Sequence, residues 1–233
     1  MQLPLNIRLS DAFCFANFFG EQNRELVTSL QSTIHALTNG ADGQIESIFL
    51  WGLPGTGKSH LLQSACQLAR ELEIESVYLP LGQAGMDDPD ILDDLHRLPL
   101  VCIDDVNRIA GNPEWEARLL GLYERIKGRG MLLSASLASP GATGFLLADV
   151  ISRFQRGLVY GIHSLDHTQR LEVIRLRARL RGLDINDEVA AYIEKHFPRD
   201  LGSLVTLLEQ LDHESLVQQR KITVPFIKSL LVR

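Results

Sequence analysis

Cysteine is scarce in this chain and shows no pairing pattern. Cys14, Cys66 and Cys102 are scattered over 233 residues, with no CxxC pair and no His-Cys cluster. An odd count without ligand spacing argues against a disulfide framework or a structural zinc site, and points to reduced, mostly buried thiols in a cytoplasmic protein. Long apolar runs are missing too: no stretch reaches the roughly 18 residues that a membrane-spanning helix needs. The opening Met1-Gln2-Leu3-Pro4-Leu5-Asn6 lacks the basic start and apolar centre of a secretory signal. Positive charge is not in excess. A net charge of −6 argues against a bulk electrostatic grip on nucleic acid. Internal repeats and low-complexity segments are likewise absent. What is present, 45% hydrophobic and 22% charged residues, is ordinary for a globular protein. The length suits one α/β domain with a small second one.

The most informative stretch is Gly52-Leu53-Pro54-Gly55-Thr56-Gly57-Lys58-Ser59. It follows the apolar run Ser47 to Trp51 and precedes the helical pattern that starts His60-Leu61-Leu62. Strand, glycine-rich loop, helix is the order that a phosphate-binding P-loop requires. Gly52, Gly55 and Gly57 let the backbone curl so that successive N–H groups converge on one anion-sized hollow. The helix N-terminus beneath adds partial positive charge. In this motif Lys58 reaches the β- and γ-phosphates and the Ser59 hydroxyl ligates Mg²⁺. The pattern predicts a nucleotide-binding protein.

Around this loop the chain alternates strands and helices. Residues 1–10 read as an extended segment. Phe13, Phe15, Phe18 and Phe19 cluster before a helix over Asn23 to Leu37; they read as core, with a wall for a nucleotide base as the alternative. A helix from Lys58 to Leu72 leads to a strand at Ser76 to Leu81. The acidic stretch Met86 to Asp94 is expected to lead into another helix. A strand ends at Asp104, and Asn112-Pro113-Glu114 is a strong helix start, running to about Lys127. Met131 to Ser136 and Gly157 to Ile162 complete five strands. This alternation implies a mostly parallel sheet covered on both faces. After about Leu165 strand signals stop and only helices follow, from Asp166, Asn186, Arg199 and Val224. The expected organisation is therefore a segment 1–10, an α/β base over 11–165 and a small all-α lid over 166–233.

Asp104, at the end of four apolar residues, matches a Walker B aspartate facing Mg²⁺ at the carboxyl edge of the sheet. Many related sites carry Glu at the next position to polarise water. Asp105 is one methylene shorter, so weak intrinsic hydrolysis is expected. Ser134 and Ser136 end the fourth strand, either touching phosphate or simply leaving the sheet. Arg153, in Ile151-Ser152-Arg153-Phe154, can act as an arginine finger or as a surface ion-pair partner. Arg199 opens the third lid helix, where its guanidinium could approach a nucleotide phosphate or merely start the helix. Arg170, Arg175, Arg177, Arg179 and Arg181 read more readily as a solvated helix surface than as a nucleic-acid patch.

Together these residues resemble the AAA+ family, a P-loop base with a helical lid, and most nearly its DnaA branch. Gly57 to Leu62 is similar to the P-loop and following helix of DnaA, Ile103-Asp104-Asp105 to its Walker B element, Ile151 to Phe154 to its arginine-finger box, and Arg199-Asp200-Leu201 to its sensor 2. The match at Ser134 to Ser136 to sensor 1 is poor. The resemblance implies binding of an adenine nucleotide, ADP more than ATP, with Mg²⁺ by Gly52, Pro54, Gly55, Thr56, Gly57, Lys58, Ser59, His60 and Arg199. Gln2-Leu3-Pro4-Leu5 resembles the short peptide that docks on the β sliding clamp of DNA polymerase III. The chain stops at Arg233, where DnaA continues into a DNA-binding domain. The implied role is a regulator of replication initiation. Recruited by DNA-loaded clamp, it inserts Arg153 into the nucleotide site of DnaA and stimulates hydrolysis of DnaA-bound ATP. DNA contact would be mainly through the clamp, and location cytoplasmic, near the replisome and nucleoid; self-association stays open. The alternative is an autonomous ATPase of the helicase-loader or motor type; a small-molecule P-loop kinase fits poorly, because helices follow the sheet where a substrate-binding insertion is needed.

Overall fold

The computed structural model describes residues 13–39, 47–83, 85, 87–197 and 201–231, with only the backbone described at Leu201, Gly202, Val205 and Leu231. Two units are defined: one running to Leu53 and resuming at Gly57–His163, the other comprising Pro54–Thr56 and Ser164–Arg233.

In the first unit, β1 (Ser47–Trp51), β2 (Ser76–Pro80), β3 (Leu100–Asp104), β4 (Met131–Ser136) and β5 (Leu158–Gly161) form one sheet in the order β2-β3-β4-β1-β5. All four pairings are parallel. Side-chain alternation explains how the sheet is covered twice. Ile48, Leu50, Leu100, Cys102 and Leu133 point to one face, where α1 (Arg24–Ala36) contributes Leu26, Leu30 and Ile34, and α2 (Lys58–Glu71) contributes Leu61, Leu62 and Cys66. Phe49, Val101, Ile103 and Leu132 point to the other. There α3 (Pro113–Ile126) supplies Leu119, Leu122 and Tyr123, and α4 (Ala148–Arg156) supplies Val150 and Phe154. Cys66 and Cys102 are buried and unbridged, and Cys14 is free and half-buried.

Local sequence fixes most helix starts. The Asn112 side chain accepts from the N–H groups of Glu114 and Trp115, and Pro113 occupies the first turn of α3. In the second unit Asp166 and Gln169 form a reciprocal capping box that opens α5 (His167–Leu180). Asn186 caps α6 (Asp187–His196) by accepting from Val189. Then come α7 (Leu201–Gln218) and α8 (Val224–Leu231). Among the described residues no helix is long and apolar enough to cross a membrane.

Two elements depart from the sequence expectation. The acidic stretch does not lead into a regular helix but into two short 3-10 turns, Pro89–Leu92 and Leu95–Arg97. Asp88 bonds the N–H of Asp90, a local closure that competes with helix formation. Arg118 then ties Asp90 and Asp93 down to α3. Conversely, α4 forms where only an arginine box is legible, so Arg153 lies on a helix.

Candidate nucleotide-binding site

The loop between β1 and α2 meets the carboxyl edge of the sheet next to the central strand β4. Gly55 (φ +80°) and Gly57 (φ +94°) hold left-handed backbone conformations that side-chain-bearing residues rarely adopt. A methyl group on Gly57 would also lie 2.7 Å from Phe18 Cε2, so the loop is pressed against the aromatic segment before α1. The N-cap position of α2 is Gly57, which has no side chain to occupy the first N–H groups of the helix. Lys58 is buried, and its ammonium donates to the carbonyls of Gly52 (2.7 Å) and Leu53 (3.0 Å). Burial pulls the Lys58 pKa down, and the negative charges of Asp104 and Asp105 oppose that pull.

Asp104 closes β3 and is only 2% exposed. One carboxylate oxygen accepts the backbone N–H of Asp105 at 3.0 Å; the other accepts the Tyr78 hydroxyl at 2.8 Å. The exposed Ser59 and half-buried Gln63 of α2 lie beside the same hydroxyl. Burial, the Asp104 charge and the hydrogen bond to Asp104 push the Tyr78 phenol far up, so it remains a donor at any physiological pH. Tyr78 therefore ties β2 to Asp104 at the end of β3, with Ser59 of α2 alongside. Nothing in its sequence context identifies it, because the link depends on β2 lying beside β3.

Asp105 takes φ +56°, a conformation that aspartate tolerates better than most residues. Its carboxylate packs over Gly82. Burial and then the adjacent Asp104 charge raise its pKa, against opposing pulls from Lys58 and Arg108.

His60 lies in the first turn of α2, almost fully buried, with Nε2 2.9 Å from the Cys14 carbonyl. Its ring packs edgewise on Phe13 (5.3 Å) and Phe18 (5.5 Å). The aromatic segment is thus both core and flank of the P-loop helix. Ser134 and Ser136 are fully buried. Ser136 Oγ lies 3.2 Å from Thr143 Oγ1 and accepts the Ala138 N–H, a local network that closes the strand end.

On the opposite face of the sheet from α2, Arg153 of α4 donates its Nε–H to Glu124 of α3. Glu116, also from α3, is fully buried and accepts the backbone N–H groups of Gly111, Leu146 and Leu147. The last two precede α4, so this carboxylate caps the helix that carries Arg153. Neither glutamate stands out in the sequence, since both act on residues about thirty positions away.

In the second unit, Arg170 pairs with Glu194, Arg175 with Asp187 and Arg181 with Glu209, while Arg177 is buried. Most of the basic helix is thus engaged within its own unit. Arg199 and the Gln2-Leu3-Pro4-Leu5 segment lie outside the described residues.

The donor set suits a nucleotide with its cation. A buried ammonium beside the N-terminus of α2 and the left-handed Gly57 are the features that an anion requires. Ser59 and Asp104 offer the hard oxygen donors that Mg²⁺ prefers, and both lie beside Tyr78.

Residues 166–231 match the sequence model of the lid domain of Hda. Among solved structures, domain III of the Thermotoga maritima replication initiation protein DnaA aligns with a TM-score of 0.74 at 18% identity, over 95% of this chain and 96% of that one. AMPPCP-bound DnaA from Aquifex aeolicus aligns at 0.68 and 21% identity, over 88% of this chain and 66% of that one. The Thermotoga maritima RuvB Holliday junction branch migration motor aligns at 0.64 and 21% identity, over 93% of this chain and 70% of that one. The five-stranded parallel sheet with a helical lid is therefore the fold shared by DnaA and RuvB. This chain spans about two thirds of the length of the AMPPCP-bound initiator.

Proposed function

We propose that this chain, an Hda-like AAA+ protein related to DnaA, regulates replication initiation by stimulating the hydrolysis of ATP bound to a DnaA partner. The observation that carries the reading is the placement of Arg153. It sits on α4, across the sheet from the helix that follows the chain's own P-loop. An arginine so placed favours action on a nucleotide held by another protein.

The chain's own site plays a supporting part. Gly52 to His60 would hold the phosphates of an adenine nucleotide, ADP more readily than ATP, with Ser59 and Asp104 holding Mg²⁺ and Arg199 adding a contact from the lid. When bound, that ion supplies charge neutralisation between phosphate oxygens. Asp105, short and packed over Gly82, is poorly built to align an attacking water. Nucleotide therefore serves to shape the protein.

Stimulation in trans is electrostatic. As the bond between the β–γ bridging oxygen and the γ-phosphorus of the partner's ATP loosens, negative charge grows on that leaving oxygen. The Arg153 guanidinium is always protonated and offers a planar fork of donors to that charge. Arginine fingers contribute roughly 10³ to 10⁵ in rate. Gln2 to Leu5 would dock on the β sliding clamp, bringing the arginine to DnaA where clamp is loaded on DNA.

Single-turnover hydrolysis of DnaA-bound ATP tests the reading, with the chain added in the presence or absence of DNA-loaded clamp. Acceleration that requires both supports it. Rapid turnover of ATP by the isolated chain, with no effect on DnaA, would establish the autonomous ATPase instead.

A further inference from the structure

We infer that Glu124 is a positioning residue for Arg153, holding the guanidinium by its Nε edge so that its two terminal nitrogens face the partner's phosphate. The inference rests on the trans role of Arg153 and deepens it.

The geometry begins with two packed helices. Leu122, Tyr123 and Ile126 of α3 share a core with Val150 and Phe154 of α4. Phe154 is buried beside Phe49, at 4.8 Å between ring centroids, so the neighbouring Arg153 is turned from the core toward solvent. Its side chain is 28% exposed, and that of Glu124 is 45% exposed. The bond between them runs from Nε to Oε1. A guanidinium is a planar fork whose Nε edge and terminal edge point in different directions. Pairing through Nε fixes the rotation of the fork while leaving the terminal edge for a second anion.

The arrangement solves an entropic problem. A free arginine side chain samples many rotamers, and catalysis in trans would have to select one at each encounter. A carboxylate on a neighbouring helix makes that selection in advance. Its charge also secures the cation, the bond to Glu124 being what raises the Arg153 pKa further. Because both groups are partly solvated, the pair adds little to stability, so removing Glu124 leaves the fold intact.

The test uses the full chain in the clamp-dependent assay of DnaA-bound ATP. Glu124→Ala, Glu124→Gln and Arg153→Ala are compared at saturating and limiting chain concentrations. Glu124→Ala is expected to lower the maximal stimulated rate about tenfold or more, as loss of alignment does, with the half-stimulating concentration and thermal midpoint unchanged. Glu124→Gln keeps an oxygen that accepts from Nε and is expected to stay within about threefold of the wild type. A merely structural role would shift the midpoint and would not distinguish maximal rate from half-stimulating concentration. If Arg153→Ala abolishes stimulation but Glu124→Ala equals or exceeds the wild type, positioning by Glu124 is wrong while the trans reading stands. If Arg153→Ala stimulates normally, both fall.

Discussion

Tyr78 donates its phenolic hydrogen to Asp104 across 2.8 Å, from the strand next to the one that ends in this aspartate. The carboxylate is nearly inaccessible to water, so this bond and the one from the Asp105 N–H are what satisfy it. Tyr78→Phe is expected to cost about 1.5 to 3 kcal/mol, the range for a hydrogen bond to a charged group. Urea unfolding measures it; an unchanged midpoint would mean that Asp104 finds another donor. Because Ser59 lies beside the same hydroxyl, the same variant is expected to weaken Mg²⁺-dependent nucleotide affinity, measured by titration calorimetry.

Glu116 carries a second prediction. Its buried carboxylate is the shared acceptor for Gly111, Leu146 and Leu147. Glu116→Ala strips three backbone donors of their partner and opens a cavity, so a loss of about 3 kcal/mol or more is expected. Glu116→Gln keeps one acceptor oxygen and should lose less. Hydrogen exchange supplies the local readout: protection in residues 148–156 should fall in Glu116→Ala before protection in the sheet does. Equal protection in variant and wild type would contradict the capping role.

The strands, the P-loop and most helix starts were legible because their determinants are local. Apolar runs ending in Gly or Asp, and caps such as Asn112 and Asp166, lie within a few residues of what they control. The α4 helix was not legible for the opposite reason. Its own Leu147 cannot cap it, and the cap comes from Glu116. The acidic stretch misled in the same way, since the hold of Arg118 on Asp90 and Asp93 depends on α3 packing alongside. In the candidate site, the glycine-rich loop after β1 and the aspartate that ends β3 could be read directly. Tyr78, Glu116 and Glu124 could not, because each acts across strand or helix pairings that only the folded chain creates.

The second unit has a pH dependence of calculable sign. Burial pushes the Glu194 carboxyl up, and bonds from Arg170 and His167 outweigh it, leaving the pKa below the usual glutamate value. A carboxylate depressed in the folded state contributes stability above its unfolded pKa and loses it as pH falls through the folded value. Thermal midpoints should therefore drop on acidification below the ordinary glutamate range, and drop less in Glu194→Gln. Parallel profiles for wild type and variant would remove Glu194 from the acid response.

The most direct measurement of the central claim is the rate at which DnaA-bound ATP is hydrolysed with DNA-loaded clamp and either the wild-type chain or Arg153→Ala. The account predicts clamp-dependent acceleration by the wild type, and loss of at least about a thousandfold of any full arginine-finger effect in the variant. Nucleotide binding and thermal midpoint should be preserved, since Arg153 lies across the sheet from α2 and its pairing with Glu124 is partly solvated. Equal acceleration by the variant, with its fold and nucleotide affinity intact, would contradict the account.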